Sequence, residues 1–133
     1  MFSGKFNYPV AFLARLKDDI TTSQDQEILV FSKVLTSIGN GYDSSTGVFT
    51  APVTGVYFFV ASALLLEDNT LIILRSEEDC LAMSLASAGT SCAVQGTVKL
   101  FVGQKVHVVS WDKGKTVTKS ATSFTGMLIH PEL

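Results

Sequence analysis

Hydrophobic positions in this chain fall into short runs separated by turn-forming residues, and helical periodicity is almost absent. The runs are rich in β-branched and aromatic residues and recur roughly every 8–15 residues, as strands do. Strands are predicted at Val10–Leu16, Glu27–Leu35, Gly47–Ala51, Val56–Leu66, Thr70–Ser76, Cys80–Ala86, Ala93–Val102, Lys105–Trp111 and Ser123–Ile129. Because no strands alternate with helices, the pattern indicates an all-β antiparallel sandwich or barrel.

Two of the predicted strands need comment. The longest apolar run, Val56–Leu66, is typical of a strand buried on both faces. It is also far shorter than the roughly 20 residues of a membrane-spanning helix, so no membrane insertion is expected. Cys80–Ala88 has a helix-forming composition, and a short helix is the alternative there.

The segment Ser37–Phe59 is dense in turn formers and aromatic residues. We expect its first glycines, at positions 39, 41 and 47, to lie where the chain reverses, because glycine adopts positive φ without steric cost. Asp43 and Ser44 can form side-chain-to-backbone turn bonds. Pro52 would interrupt the ladder between two strands, and Gly55 would open the next strand.

The aromatic residues of this segment have irregular spacings, yet the predicted turns would bring them together on one side of a sheet. They are Tyr42, Phe49, Tyr57 and Phe59. Core packing is the favoured interpretation. A ligand-stacking platform would need aromatic residues that alternate with polar and basic groups, which this segment lacks.

Composition points to one domain with an excess of apolar surface. The 133 residues (14.3 kDa) predict a single domain over 1–133, with a core at about 9–133 and an N-terminal arm at 1–8. Hydrophobic residues make up 47% and charged residues 17%, which favours burial between subunits. A net charge of −2 without a basic stripe argues against nucleic acid as a partner.

Catalytic chemistry finds little support in the sequence. His107 and His130 belong to no recognisable Ser-His-Asp or Cys-His arrangement, and no known catalytic motif is present, so we expect no enzyme activity. The acidic runs Asp18–Asp19 and Glu77–Asp79 are interpreted as solvated charge in turns, with a weak cation site as the alternative. Cys80 and Cys92 form either one bridge or two buried thiols.

The segment Ser37–Phe59, together with Phe31, resembles the signature of the complement C1q globular-head family, which is related to the tumour necrosis factor fold. The family signature is matched in order by Phe31, Tyr42, Phe49 and the Gly-x-Tyr-x-Phe ending at 55–59. Pro9–Leu16, Leu100–Val108 and Thr122–Ile129 resemble the family's opening strand, late hairpin and closing strand. The aromatic core or trimer signature comprises Phe12, Phe31, Tyr42, Phe49, Tyr57, Phe59 and Phe124. The turn glycines comprise Gly39, Gly41, Gly47, Gly55, Gly103 and Gly126.

The chain departs from the family pattern at several positions. Four residues differ from those usual in the family, namely Ser37, Ala61, Gln104 and His107. These differences leave the fold prediction unchanged. Some relatives place calcium-binding carboxylates before the strand at Ala93–Val102, but Leu85–Gly96 contains none. Calcium takes six to eight oxygen ligands, so no metal or cofactor is predicted here.

The resemblance implies a ten-stranded antiparallel jelly roll that assembles as a homotrimer and is secreted to the extracellular space. It also implies that the aromatic signature fills the sandwich and part of the subunit interface. No signal peptide is visible in the first residues, so it was either removed or is lacking.

Recognition in such a fold is expected in the loops, which a rigid scaffold positions. The candidate loop is Ser110–Thr122, where Trp111 can stack on a sugar, Asp112 can accept sugar hydroxyls, and lysines can meet anionic groups. The ligand-binding candidates are Trp111, Asp112, Lys113, Lys115 and Lys119, and a merely solvated loop is the alternative. The expected function is pattern recognition of microbial carbohydrate or lipopolysaccharide in innate immunity. The alternative is a structural trimerisation head or a receptor-binding signalling ligand.

Overall fold

A computed structural model describes residues 9–77 and 79–132, and over these residues two antiparallel β-sheets pack face to face. The predicted N-terminal arm, residues 1–8, lies outside the described residues. The strands are β1 (Ala11–Arg15), β2 (Ile20–Thr21), β3 (Glu27–Ile28), β4 (Lys33–Ile38), β5 (Tyr42–Asp43), β6 (Val48–Thr50), β7 (Gly55–Leu65), β8 (Thr70–Ser76), β9 (Asp79–Ala86), β10 (Ser91–Leu100), β11 (Lys105–Ser110) and β12 (Thr116–Pro131). No helix in this part of the chain has the length and hydropathy to span a bilayer.

The two sheets confirm the predicted ten-stranded antiparallel jelly roll. The first sheet has the order β10-β7-β12-β1-β4, and the two-residue β2 pairs with β12. The second sheet has the order β5-β6-β11-β8-β9, and the two-residue β3 pairs with β11. Each main path therefore holds five strands, and β2 and β3 are short additions.

The space between the sheets is filled by the aromatic signature. Phe12 stacks on Tyr42 with ring centroids 4.7 Å apart and an interplanar angle of 7°. Phe49 and Phe59 meet edge to face at 5.2 Å, and Phe12 meets Phe124 at 5.0 Å. Six of the seven signature residues are at most 3% exposed, and Tyr42 is half-buried. Core packing is thus confirmed, and a part of these residues in a subunit interface stays a prediction.

Strand β7 is buried on one face only, not on both as predicted. Burial alternates along its eleven residues, with Tyr57 and Phe59 in the core and Phe58 half-exposed on the other side. This alternation follows from the pleat of a strand in a two-sheet sandwich, where only one face meets the opposite sheet.

The segment Glu27–Leu35 forms two strands instead of the predicted single strand. β3 pairs with β11 of the second sheet, whereas β4 pairs with β1 of the first sheet. Between them the chain crosses from one sheet to the other, and Leu29 and Phe31 are buried on the way, at 0% and 1% exposure. A single strand cannot pair in both sheets, which explains the break.

The last strand is longer than predicted, and the candidate loop is correspondingly shorter. β12 begins at Thr116, where it pairs with β2 and β7, and its pairing with β7 shifts between Thr118 and Ser123. The loop between β11 and β12 therefore comprises residues 111–115, and Lys119 belongs to β12. Cys80–Ala86 lies within strand β9, so the alternative of a short helix is wrong.

Two of the predicted turn glycines serve a different purpose. Gly126 lies inside β12, where an added Cβ would come within 2.6 Å of the Phe59 ring and 2.7 Å of the Phe12 ring. Gly41 is buried against the ring of Phe49 in the same way. Gly55 opens β7 as predicted, and three others have the positive φ expected of turn positions, namely Gly39, Gly47 and Gly103.

The turn before Gly47 is closed by Asp43, as its sequence predicts. The carboxylate Oδ1 accepts hydrogen bonds from the Ser45 hydroxyl at 2.6 Å and the Ser45 amide at 2.8 Å. These bonds favour the charged form and hold the pKa of Asp43 below its usual range.

Candidate functional site

The 111–115 loop is fixed by a buried threonine from a distant part of the chain. Thr22 is 3% exposed, and its Oγ1 donates to the Asp112 carbonyl at 2.8 Å and accepts from the Lys115 amide at 3.0 Å. Its backbone amide donates to the Lys115 carbonyl at 3.0 Å, and its carbonyl accepts from the Gly114 amide at 2.7 Å. The loop is therefore held by several hydrogen bonds to one residue.

Further contacts hold the start and the middle of the loop. The Trp111 amide donates to the Leu71 carbonyl at 3.0 Å, and the Trp111 carbonyl accepts from the Gln26 amide at 2.7 Å. The Lys113 amide donates to the Asp25 carboxylate at 3.0 Å. The loop backbone is therefore anchored at Trp111 and Lys113 in addition to its hydrogen bonds with Thr22.

Three of the five predicted ligand-binding residues share the exposed tip of this loop. Trp111 is 37% exposed, and Asp112 and Lys113 are exposed beside it. In the described part of the chain, the carboxylate of Asp112 and the ammonium of Lys113 make no hydrogen bond or ion pair, since the bonds found here all use the backbone. An aromatic face, an acceptor and a cation are thus presented together.

The other two predicted residues do not join this tip. The Lys115 ammonium donates to the Asp68 carbonyl at 2.8 Å, so it is engaged within the fold. Lys119 lies on β12 and lines a separate cleft with residues of β1 and β4. Sequence reasoning missed Thr22 and Asp25, because a threonine and an aspartate in a polar stretch carry no local signal of contacts about ninety residues away.

The outer face of the first sheet, which points away from the core, carries an apolar row. The row crosses four adjacent strands, and its members lie opposite one another in register. They are Ile38 of β4, Ala11 of β1, Met127 of β12 and Phe58 of β7. Ile38 and Met127 are each 47% exposed. This row is partly exposed apolar surface, whereas the aromatic signature is packed in the core.

The candidate catalytic and metal-ligating groups are not brought together. His107 lies on β11 in the second sheet, whereas His130 lies on β12 in the first sheet. His107 is half-buried opposite Arg75, and burial followed by the Arg75 charge lowers its pKa, which the Glu77 carboxylate partly opposes. Within residues 9–77 and 79–132, no group of three or more histidine, cysteine, aspartate or glutamate side chains could hold a metal ion.

The acidic runs act partly as backbone acceptors. Asp19 accepts from the Lys119 amide at 2.8 Å, and Glu77 accepts from the Lys105 amide at 3.0 Å. Glu78, in the middle of the second run, lies outside the described residues.

Both cysteines are free thiols, so the alternative of a bridge is wrong, and so is the expectation that both thiols are buried. Cys80 is exposed on β9, and Cys92 is half-buried on β10. Burial raises the pKa of the Cys92 thiol, and a hydrogen bond with Ser84 partly opposes this.

Comparisons with known proteins agree with this architecture. The family model described as C1q domain matches residues 11–129. Human "Complement C1q tumor necrosis factor-related protein 3" is 46% identical over 59 residues, which are 44% of this chain and 23% of that protein. The chain thus spans about a quarter of the length of this relative.

Two solved structures share the fold. The "Globular Domain of Zebrafish Complement 1qA protein" is 27% identical with a TM-score of 0.70, over 92% of this chain and 99% of that one. Murine APRIL has a TM-score of 0.77 over 91% and 99% of the two chains, and its 16% identity indicates the fold alone.

Proposed function

The chain belongs to the C1q domain family, and from this premise we propose that it is a secreted, extracellular, non-enzymatic recognition domain. It works as a homotrimer and binds microbial carbohydrate or lipopolysaccharide in innate immunity. The observation that carries the proposal is the 111–115 loop, whose backbone is anchored while the side chains of Trp111, Asp112 and Lys113 stay exposed.

The chemistry of the loop suits a sugar with an anionic substituent. An indole face stacks on the apolar face of a sugar ring, and a carboxylate accepts hydrogen bonds from sugar hydroxyls. The ammonium of Lys113 supplies a charge-assisted hydrogen bond to an acidic group on the same ligand. Because Thr22 and Asp25 already order the loop backbone, binding costs less conformational entropy than a mobile loop would require.

Homotrimeric assembly is supported by the apolar row on the outer face of the first sheet. Exposed apolar residues in one contiguous row are more typical of an interface than of a free surface. Trimer formation is also what the C1q and tumour necrosis factor resemblance implies. Three loops on one particle would raise the avidity of weak single contacts without any new contact.

A receptor-binding or signalling role is the second candidate, and an outward patch on the second sheet favours it. Met83 and Leu85 on β9 are 58% and 64% exposed, and Leu85 lies opposite the half-buried Leu71. These side chains are exposed on the face of the second sheet that points away from the core. An apolar patch of this kind suits contact with another protein more than contact with a sugar.

A glycan and lipopolysaccharide array probed with the purified protein tests the proposed function. We expect saturable binding that Trp111→Ala and Lys113→Ala abolish. Lys105→Ala, which removes an exposed lysine from β11, is the matched control and should bind like the wild type. A folded protein that binds nothing on the array, or binding that both loop variants retain, would overturn the carbohydrate-recognition proposal and favour the receptor role.

A further inference from the structure

A cleft of about 280 Å³ opens at one end of the first sheet, and no residue of the 111–115 loop lines it. Four of its six lining residues are cationic. The lining residues are Arg15, Leu16, Lys17, Lys33, Lys119 and Ser120. Positive charge from three separate parts of the chain therefore meets in one place.

The register of the sheet brings two of these charges together. Arg15 is the last residue of β1, and it lies directly opposite Lys33, the first residue of β4. On its other side Arg15 lies opposite Ser123 of β12. Directly opposed residues of antiparallel strands project on the same face, and like charges in such positions destabilise a sheet. An anion between them would remove this repulsion.

The third part of the wall comes from the irregular stretch of β12 between Thr118 and Ser123. The Thr118 hydroxyl donates to the Ser120 carbonyl at 3.1 Å, and the Leu64 amide donates to the Thr122 hydroxyl at 3.1 Å. Irregularities of this kind re-aim side chains and are frequent next to binding sites. Here the hydrogen bonds fix the segment that carries Lys119 and Ser120.

Backbone strain marks the same stretch. Ala121 has a φ of +57°, a conformation uncommon for residues other than glycine. Such strained positions persist where surrounding contacts over-determine them, and they cluster at ligand sites. The positive φ of Ala121 is therefore consistent with a ligand site at this stretch of β12.

The positive charge of the cleft is not neutralised by ion pairs. The ion pair found in residues 9–77 and 79–132 joins Lys99 to Glu132, so none of the four cleft cations takes part in one there. Asp19 contributes one carboxylate beside the cleft, where its Oδ1 accepts the Lys119 amide hydrogen at 2.8 Å. The four cationic lining residues outnumber this carboxylate, and a concave surface with an excess of one charge concentrates counter-ions and favours anionic ligands.

We propose that this cleft binds a phosphate group, carried either by a soluble molecule or by a lipid headgroup. A phosphate offers several oxygens, so the Arg15 guanidinium can engage it with two parallel hydrogen bonds while the lysines contact the remaining oxygens. The Ser120 hydroxyl can donate to the same group. A carboxylate has only two oxygens and one charge, so it would satisfy fewer of these donors.

The cleft and the apolar row occupy different parts of the same sheet face. Ala11 of the apolar row and Arg15 of the cleft are four residues apart on β1, so both project from the outer face, about 13 Å apart along an extended strand. Neither Trp111 nor Lys113 lines the cleft. The proposal therefore does not depend on sugar binding by the loop, and all the lining residues belong to one copy of the chain.

Calorimetric titration with inorganic phosphate, against sodium chloride at matched ionic strength, tests the proposal. We expect saturable heat with phosphate for the wild type, and binding at least about tenfold weaker for Lys33→Gln and Lys119→Gln, because each removes a charge-assisted hydrogen bond. Lys105→Gln is the control that lies outside the cleft. Without phosphate, the melting temperature of Lys33→Gln should equal or exceed that of the wild type, since a repulsion is removed.

A second arm identifies the source of the phosphate. The same proteins are mixed with phosphatidylcholine vesicles that contain or lack phosphatidic acid, and co-sedimentation is measured. Binding to the phosphatidic acid vesicles without binding of inorganic phosphate assigns a lipid headgroup, and the reverse result assigns a soluble phosphate compound. Absence of binding in both arms, or equal binding by wild type, Lys33→Gln and Lys119→Gln, would overturn the proposal.

Discussion

The Tyr42 hydroxyl completes both backbone hydrogen bonds of Phe31. It accepts from the Phe31 amide at 3.0 Å and donates to the Phe31 carbonyl at 2.9 Å. Phe31 lies where the chain crosses from the second sheet to the first and leaves the strand ladder, so its polar groups need another partner. The Tyr42 side chain thus supplies the two hydrogen bonds that a neighbouring strand would otherwise make with Phe31.

Removal of this hydroxyl should destabilise the protein. Tyr42→Phe keeps the ring that stacks on Phe12 but leaves the buried amide and carbonyl of Phe31 unsatisfied, which costs about 1–3 kcal/mol. Urea unfolding measures the change, and an unaltered m value would confirm that only native stability has changed. A loss below about 0.5 kcal/mol, within the range of neutral surface substitutions, would contradict this role.

The same hydroxyl makes stability depend on alkaline pH. Burial raises the pKa of Tyr42 from 10.0 to about 12, with a smaller contribution from the Asp43 charge, against the opposing bond to Phe31. Between these values the unfolded chain loses a proton that the folded chain keeps. The stability that the protonated Tyr42 hydroxyl contributes is therefore complete below about pH 10 and is lost as the pH rises through about 12. Between about pH 10 and 12, the free energy of unfolding should fall more steeply with pH for the wild type than for Tyr42→Phe. Equal slopes for the two proteins would show that Tyr42 does not cause the decline.

Gly126 and Gly96 form a matched pair of strand glycines with opposite surroundings. A Cβ on Gly126 would press into the Phe59 and Phe12 rings, whereas a Cβ on Gly96 would have its nearest neighbour at 3.9 Å. We expect Gly126→Ala to cost about 1–3 kcal/mol through overpacking and Gly96→Ala to be neutral or slightly stabilising. Thermal unfolding of both variants measures the difference. Equal effects would mean that the rings can move aside at no cost.

His107 should make the protein less stable in mild acid. Burial, and then the Arg75 charge, lower its pKa below the usual 6.5. As the pH falls below about 6.5, the unfolded chain therefore takes up a proton before the folded chain does, and stability declines until the folded-state pKa is passed. Denaturation midpoints between pH 7 and 5 should decline less for His107→Gln than for the wild type. His130→Gln, at an exposed position, is the control, and an unchanged slope in His107→Gln would show that other groups cause the decline.

Local sequence patterns predicted most strands because the strands are runs rich in β-branched and aromatic residues that end at turn formers. β8 matched the prediction at both ends, and β7 differed by one residue at each. The crossing after β3 was missed because periodicity does not reveal which sheet a strand joins.

The candidate site was predicted in part, because the sequence reveals contacts between neighbouring residues but not contacts between residues far apart along the chain. Trp111, Asp112 and Lys113 are consecutive, so their proximity needs no tertiary information. Lys113 and Lys115 look equivalent in sequence, and only the Asp68 carbonyl distinguishes them. The meeting of Arg15, Lys33 and Lys119 depends on the sheet register and on an irregular stretch of β12, which no local pattern encodes.

We propose that the outer face of the first sheet joins three copies of the chain, and the mass of the purified protein tests this assembly most directly. Light scattering should give about three times 14.3 kDa for the wild type. Met127→Glu, which places a charge in the apolar row, should give the mass of one chain with unchanged secondary structure. Met83→Glu, at a similarly exposed position on the second sheet, should remain three times 14.3 kDa. A wild-type mass of 14.3 kDa, or dissociation by Met83→Glu but not by Met127→Glu, would contradict the claim.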